Sequence, residues 1–193
     1  MRRTAQALRR RGGLRNPLPG LLAFTDPART PDVLGLAARL RPGEALVYRS
    51  FGAADAEAVA RALRRITRRR GVLLLIGADV RLARAVRADG VHLPERMAYQ
   101  ARALRRAHPR WLVTVAAHSP RAARVAASAA VVSAIFPSRS PSAGKPLGVL
   151  RLAQTVRRTA TPIYALGGIN NKTARRLLPA GVVGMAAVEG LRT

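Results

Sequence analysis

Short apolar runs alternate along the chain with longer stretches in which apolar residues recur at helical spacing and arginines fill most other positions. The runs are Leu21–Thr25, Ala45–Arg49, Val72–Ile76, Gly90–Leu93, Leu112–Ala116, Val131–Phe136, Pro162–Leu166 and Val183–Ala187. Helical spacing falls near Pro31–Leu40, Ala54–Arg70, Asp79–Arg87, Tyr99–Ala107, Pro120–Ala129, Leu147–Arg158 and Lys172–Pro179. A continuous apolar run is a strand covered on both faces, which implies a parallel sheet with crossover helices. Eight such units predict an α/β fold, a minimal (β/α)₈ TIM barrel whose last helix is truncated to Val188–Thr193. An open doubly wound sheet is the alternative.

Residues 20–193 therefore form the expected barrel domain, preceded by a basic tail over residues 1–19. That tail holds Arg2, Arg3, Arg9, Arg10, Arg11 and Arg15, no acid, a Gly12-Gly13 pair and Pro17-Leu-Pro19. It lacks the apolar core of a secretory signal. Its composition also suits a solvated helix or an organellar presequence; a flexible tail is the expectation.

Composition narrows the chemistry. With 193 residues, 49% of them hydrophobic, the chain is long enough to bury roughly 70% of its unfolded surface. The absence of Cys excludes a thiolate nucleophile, a CxxC pair and an iron–sulfur cluster. No apolar run approaches the roughly 20 residues that span a bilayer, so no membrane partner and a cytoplasmic location are expected. The net charge of +26 ordinarily suggests nucleic acid. Here, however, only Lys145 and Lys172 among the 35 basic residues are lysine, as a GC-rich coding sequence would produce. The arginines are spread over most helical stretches, and aromatics for base stacking make up only 4% of the chain. A basic nucleic-acid-binding protein is thus the remote alternative.

In a TIM barrel, chemistry sits just beyond the strands, at the C-terminal rim. Gly167-Gly168, after the seventh run, is the most informative feature there. Glycines let backbone N–H groups approach an anion, and a helix start adds its positive dipole end. A tight turn needing positive φ is the plainer explanation; at this strand position we favour phosphate. His118 follows the fifth run and is placed to shuttle a proton or to cap the next helix. His92 reads as a buried barrel residue and His108 as an exposed helix end. The rim carboxylates Asp26, Asp79, Glu95 and Glu189 lack the spacing of a metal site, and Asp79 reads as a helix N-cap.

Several of these strand ends, in register, resemble the thiamin phosphate synthase/thiazole tautomerase family. The resemblance rests on Gly90-Val-His-Leu93, Val115-Ala-Ala-His-Ser119, Ile135-Phe-Pro-Ser138, Pro162-Ile-Tyr-Ala-Leu-Gly-Gly-Ile169 and Gly184-Met-Ala-Ala-Val188. It implies a (β/α)₈ barrel acting on a thiazole phosphate in vitamin B1 synthesis. The family's synthases join a pyrimidine diphosphate to that phosphate and expel pyrophosphate. They use Gln-x-Arg-x-Lys after strand 2, Asn-Asp after strand 3, Gly-Gln-Glu-Asp after strand 4 and a Ser two residues before the His. The corresponding positions read Val47-Tyr-Arg-Ser-Phe51, Gly77-Ala78, Pro94-Glu-Arg-Met97 and Ala116. The metal-holding carboxylates and the diphosphate-binding Gln and Lys are therefore replaced.

The phosphate side departs less. Ser138-Arg-Ser140 keeps both hydroxyls of the family's Thr-x-Thr, Lys145 lies in the same loop, and Gly167-Gly168 matches directly. By resemblance, His118 occupies the position where thiazole tautomerases carry their proton-moving His. The expectation is a tautomerase-like or divergent synthase enzyme with His118 as acid/base. Arg49, Ser138, Ser140, Lys145, Gly167, Gly168 and Val188 would hold the ligand. The expected partner is a small phosphorylated heterocycle and no resident metal is expected; magnesium enters only with a retained synthase reaction. An active synthase and a non-catalytic ligand-binding barrel are the other readings, and a homo-oligomer is left open.

Overall fold

The structure is a computed structural model that describes residues 1–11, 18–138 and 144–188. Eight parallel strands close into a barrel in sequential order. They are β1 (Leu21–Phe24), β2 (Ala45–Tyr48), β3 (Leu73–Gly77), β4 (Gly90–Leu93), β5 (Leu112–Ala117), β6 (Ala129–Val132), β7 (Ile163–Ala165) and β8 (Gly184–Ala187). The seam is a true ladder, pairing Leu21 with Met185, Leu22 with Ala186 and Ala23 with Ala187. The barrel is therefore closed, and the open sheet is excluded.

Inward positions alternate in size around the ring. Leu22, Leu75, Leu112 and Tyr164 come from odd strands, and Ala45, Gly90, Ala129 and Gly184 from even ones. The small residues make room: a Cβ at Gly184 would lie 2.6 Å from the Tyr164 ring. Tyr164 ties the floor of the barrel by donating its hydroxyl to the Pro19 carbonyl at 2.7 Å. Outward-facing residues such as Leu46, Leu74 and Val91 pack with Leu36, Leu63 and Leu82 of the helices, forming the second layer.

Six α-helices accompany the strands: α1 (Arg2–Arg11), α2 (Val33–Arg39), α3 (Ala56–Arg70), α4 (Val80–Ala85), α5 (Ala101–Ala107) and α6 (Gly148–Arg157). A 3₁₀ turn, Glu95–Gln100, precedes α5, and a second, Ala174–Ala180, follows β7. Pro179 lies inside that second segment, where its missing N–H disfavours a regular α-helix.

Three expectations change. The helix expected over Pro120–Ala129 does not form: residues 118–128 make a turn-rich crossover and β6 starts at Ala129. The strand expected over Val131–Phe136 ends at Val132; Ile135 and Phe136 resume pairing, donating to the Leu166 and Gly167 carbonyls. The basic segment expected as a flexible tail begins with α1, whose Ala5 and Leu8 are buried with Leu21, Leu177 and Met185. Apolar residues at i and i+3 give α1 one face to bury. That helix packs against β8 and the second 3₁₀ segment, while its Arg2 bonds Glu44 and the Arg39 carbonyl beyond α2. It thus occupies the outer position between the segments that follow β7 and β1. The expected truncated last helix lies almost wholly outside the described residues. Among the described residues, no helix is long and apolar enough to cross a membrane.

Candidate active site at the C-terminal rim

The two halves of the rim differ in how their polar groups are used. On the β1–β4 side the groups bond one another. Arg49, just past β2, donates from its backbone N–H to Thr25 Oγ1 at 2.9 Å and from Nε to the Thr25 carbonyl at 2.7 Å. Its Nη2 reaches Asp26 Oδ2 at 3.2 Å, an oxygen that also accepts from Arg29 at 2.9 Å. The Arg49 guanidinium lies 5.6 Å from the Phe24 ring and 5.1 Å from the Phe51 ring, close enough for cation–π attraction. The hydrogen bond from Arg29, with both guanidinium charges, holds the Asp26 carboxyl below its usual pKa. Burial lowers the pKa of Arg49 itself, against the opposing pull of Asp26.

Beneath this clamp, His92 is buried with Nδ1 3.0 Å from Thr114 Oγ1 and its ring edge-on to Phe24. Burial, reinforced by the Arg49 charge, pushes its pKa down to about 3, so the imidazole is neutral. As its place in the fourth run predicts, His92 is a barrel-interior residue.

The positions that would hold magnesium in the resembled synthases do not fit a metal. Gly77 and Ala78 bring no side-chain ligand past β3. Asp79 spends its carboxylate on capping α4, accepting from the Leu82 N–H at 2.8 Å. Past β4, Glu95 accepts from the backbone N–H of His118 at 2.6 Å. Among the described residues, no three His, Asp or Glu side chains are grouped to hold a metal ion.

On the β5–β8 side fewer such side-chain bonds form among the described residues. The exposed His118 extends from the end of β5, its backbone pinned by Glu95 and its Nδ1 3.3 Å from Ser133 Oγ. Ser133 lies just beyond β6, within a stretch that reads as uninterrupted strand, so sequence reasoning passed over it. With Nδ1 facing that hydroxyl, Nε2 is left as the nitrogen for an incoming ligand.

Gly167 and Gly168 follow β7 with φ of 97° and 65°, a backbone that L side chains rarely adopt. A Cβ on Gly167 would come within 2.9 Å of Ala134, and one on Gly168 within 2.4 Å of the Pro137 carbonyl oxygen. Close packing thus requires both glycines irrespective of any ligand. The N–H groups supply the separate observation: neither donates to a described residue. Just beyond, Asn170 Oδ1 accepts from Lys172 N and Thr173 N, and Thr173 Oγ1 donates to the Gly168 carbonyl, so the loop is held from within. Successive backbone N–H groups in such a concave turn suit an anion.

The remaining expected ligand-binding residues are placed unevenly. Ser138 and Val188 are half-buried beyond β6 and β8. Lys145 is exposed ahead of α6. Ser140 lies outside the described residues. Arg49 stands at the rim, but the bonds of its guanidinium run to Thr25 and Asp26. The clamp around Asp26 and the Glu95–His118 contact were missed because residues 23 to 24 apart meet only when adjacent strands pair.

Comparison with known proteins agrees with the barrel fold. The family model of thiamine monophosphate synthase matches residues 23–191. A thiamine-phosphate synthase of Alcanivorax borkumensis is 31% identical over 185 residues, covering 90% of this chain and 85% of that protein. A putative thiamine-phosphate synthase 2 of Aquifex aeolicus is 33% identical over 134 residues, covering 67% and 72%. Among solved structures, a thiamine phosphate pyrophosphorylase from Pyrococcus furiosus superimposes with a TM-score of 0.72 at 25% identity, covering 88% of this chain and 85% of that one.

Proposed function

The chain belongs to the thiamine monophosphate synthase family, and from that premise we propose that it binds a thiazole phosphate on the β5–β8 side of the rim and moves a proton within it. In this reading the phosphoryl group rests on the N–H groups of Gly167 and Gly168, beside Val188 and the Ser138 hydroxyl, with Lys145 supplying charge. The observation that carries it is the pair of N–H groups that donate to no described residue, on a turn of positive φ.

His118 then acts as the acid/base of a tautomerase-like step. Its Nε2 accepts a proton from a ring carbon of the thiazole tautomer and returns one elsewhere on the same molecule, so no net proton or electron is exchanged. Ser133 and Glu95 are positioning residues for that imidazole. One proton carrier and one anion anchor suffice for such a reaction, whereas pyrophosphate expulsion needs leaving-group charge to be neutralised. The missing carboxylate pair and the internally bonded Arg49 weigh against the latter.

The test is tautomerisation of the thiazole phosphate by purified protein and by His118→Ala. Loss of an acid/base group lowers kcat by about 100-fold or more, with binding of the phosphate within a few-fold of wild type. Unchanged turnover in His118→Ala removes the assigned role. Phosphate binding without turnover by either protein favours a ligand-binding barrel. A second reading, synthesis of thiamine phosphate from a pyrimidine diphosphate and a thiazole phosphate, is favoured by the similarity to the thiamine-phosphate synthases of Alcanivorax borkumensis and Aquifex aeolicus.

A further inference from the structure

On the outer side of the barrel a cavity of about 500 Å³ opens between α1, the loop ahead of β2 and the segment after β7, where Asn171 lies three residues beyond Gly168. Arg2, Arg3, Thr4, Arg41, Asn171 and Arg175 line it, and no carboxylate does. The nearest acid, Glu44, is buried and fully used: Oε1 accepts from Arg2 Nε at 3.0 Å and Oε2 from the Arg41 N–H at 2.9 Å. Arg2 is also fixed by a 2.9 Å bond to the Arg39 carbonyl. Arg3, Arg41 and Arg175 have no acidic partner among the described residues. Asn171 accepts at Oδ1 from Met1 N at 2.7 Å, which leaves its amide N–H groups as donors.

Four guanidinium groups from three separate parts of the chain thus line one concavity; Arg2 is paired with Glu44, and the other three lack an acidic partner among the described residues. Like charges brought together in this way repel unless an anion joins them. Planar guanidinium forks suit phosphate oxygens, and several of them suit more than one phosphate. We propose that this cavity is a binding site for a small oligophosphate, a di- or triphosphate chain, separate from the rim site. Size and lining both favour a small ligand over a nucleic-acid strand. The volume accommodates roughly one drug-sized ligand, and no aromatic side chain lines the cavity for base stacking.

The net charge of +26 would attract polyanions diffusely, so the test must separate a site from a field. Inorganic tripolyphosphate is titrated calorimetrically at physiological salt into wild type, Arg41→Gln/Arg175→Gln and Arg65→Gln/Arg69→Gln. All four substituted arginines are exposed, and the second pair lies on α3. The expected result is saturable 1:1 binding, weakened at least tenfold in the first variant and changed less than twofold in the second. Equal weakening in both variants, or uptake of several equivalents, reduces the effect to diffuse charge and overturns the proposal. So does displacement of tripolyphosphate by inorganic phosphate at concentrations that fill the rim site. An oligouridylate that binds more tightly than tripolyphosphate, with the same sensitivity to Arg41→Gln/Arg175→Gln, makes the surface a nucleic-acid contact and overturns it equally. Thermal midpoints of both variants within a few degrees of wild type establish that they fold.

Discussion

The β1–β4 and β5–β8 halves of the rim are built on the same barrel and use similar residue types, yet the first bonds its charges to one another, whereas the second holds an exposed imidazole and two backbone amides that donate to no described residue. In the first half, Asp26 stands between Arg29 and Arg49, and Asp79 is consumed by a helix cap. In the second, His118 is exposed and the Gly167-Gly168 amides donate to no described residue. A hydrogen-bonded ion pair stabilises the fold, but it is not available to neutralise a diphosphate or grip a metal. An exposed side chain, or an amide that donates to no described residue, contributes little to stability. The presence of a charged residue at a strand end therefore says less than the bonds it already makes.

Substitutions should split along the same line, with the largest effect expected at the glycine turn. Gly168→Ala places a Cβ 2.4 Å from the Pro137 carbonyl oxygen at a φ of 65°. A cost of about 2 kcal/mol or more is expected, together with loss of thiazole phosphate binding, read by thermal melting and calorimetry. Retained affinity in a folded Gly168→Ala protein would separate the turn from the ligand.

Next comes the acid limb of stability. His92 is neutral when folded, with a pKa of about 3, whereas an unfolded chain protonates it near the ordinary 6.5. The unfolded state thus binds the proton first, so stability falls as pH drops below about 6.5 and goes on falling towards about 3. The slope approaches 1.4 kcal/mol per pH unit for one group. Denaturant midpoints between pH 6.5 and 5, above the carboxylate range, should fall for wild type and stay flatter for His92→Asn.

The smallest effect belongs to the clamp. Arg49→Met removes bonds that are partly exposed to water, at a cost of about 1 kcal/mol. Affinity for a thiazole phosphate, measured by calorimetry, should remain within twofold. A tenfold loss there would return Arg49 to the ligand site and erase the contrast between the halves.

Much of this architecture is legible in the residues alone. Eight apolar runs flanked by helical spacing specify the barrel because each strand is buried on both faces. The positions of Gly167-Gly168 and His118 just past strands are legible too, and strand ends are where such barrels place their chemistry, which is why the proposal rests on them. Local pattern fails wherever a partner comes from a neighbouring strand. The Arg49 side chain looks like a ligand-binding cation until Thr25 and Asp26 are brought beside it. Ser133 looks like strand until the ladder breaks ahead of Ala134. The helical character of residues 2–11 is hidden by arginines on most faces, and only the burial of Ala5 and Leu8 against β8 explains why the segment docks. Ala-rich residues 120–129 carry helical propensity, a weak prior that does not prevail in the turn-rich crossover between β5 and β6.

The contrast between the halves is tested most directly by incubating the purified protein with a pyrimidine diphosphate and a thiazole phosphate, with magnesium and with the metal chelated. Thiamine phosphate and released pyrophosphate are then measured alongside tautomerisation of the thiazole phosphate alone. The predicted result is no coupling above background with or without magnesium, while tautomerisation proceeds in both and depends on His118. Magnesium-dependent coupling at an ordinary enzymatic rate would mean that the β1–β4 half is a working diphosphate site, and the account given for it would be wrong.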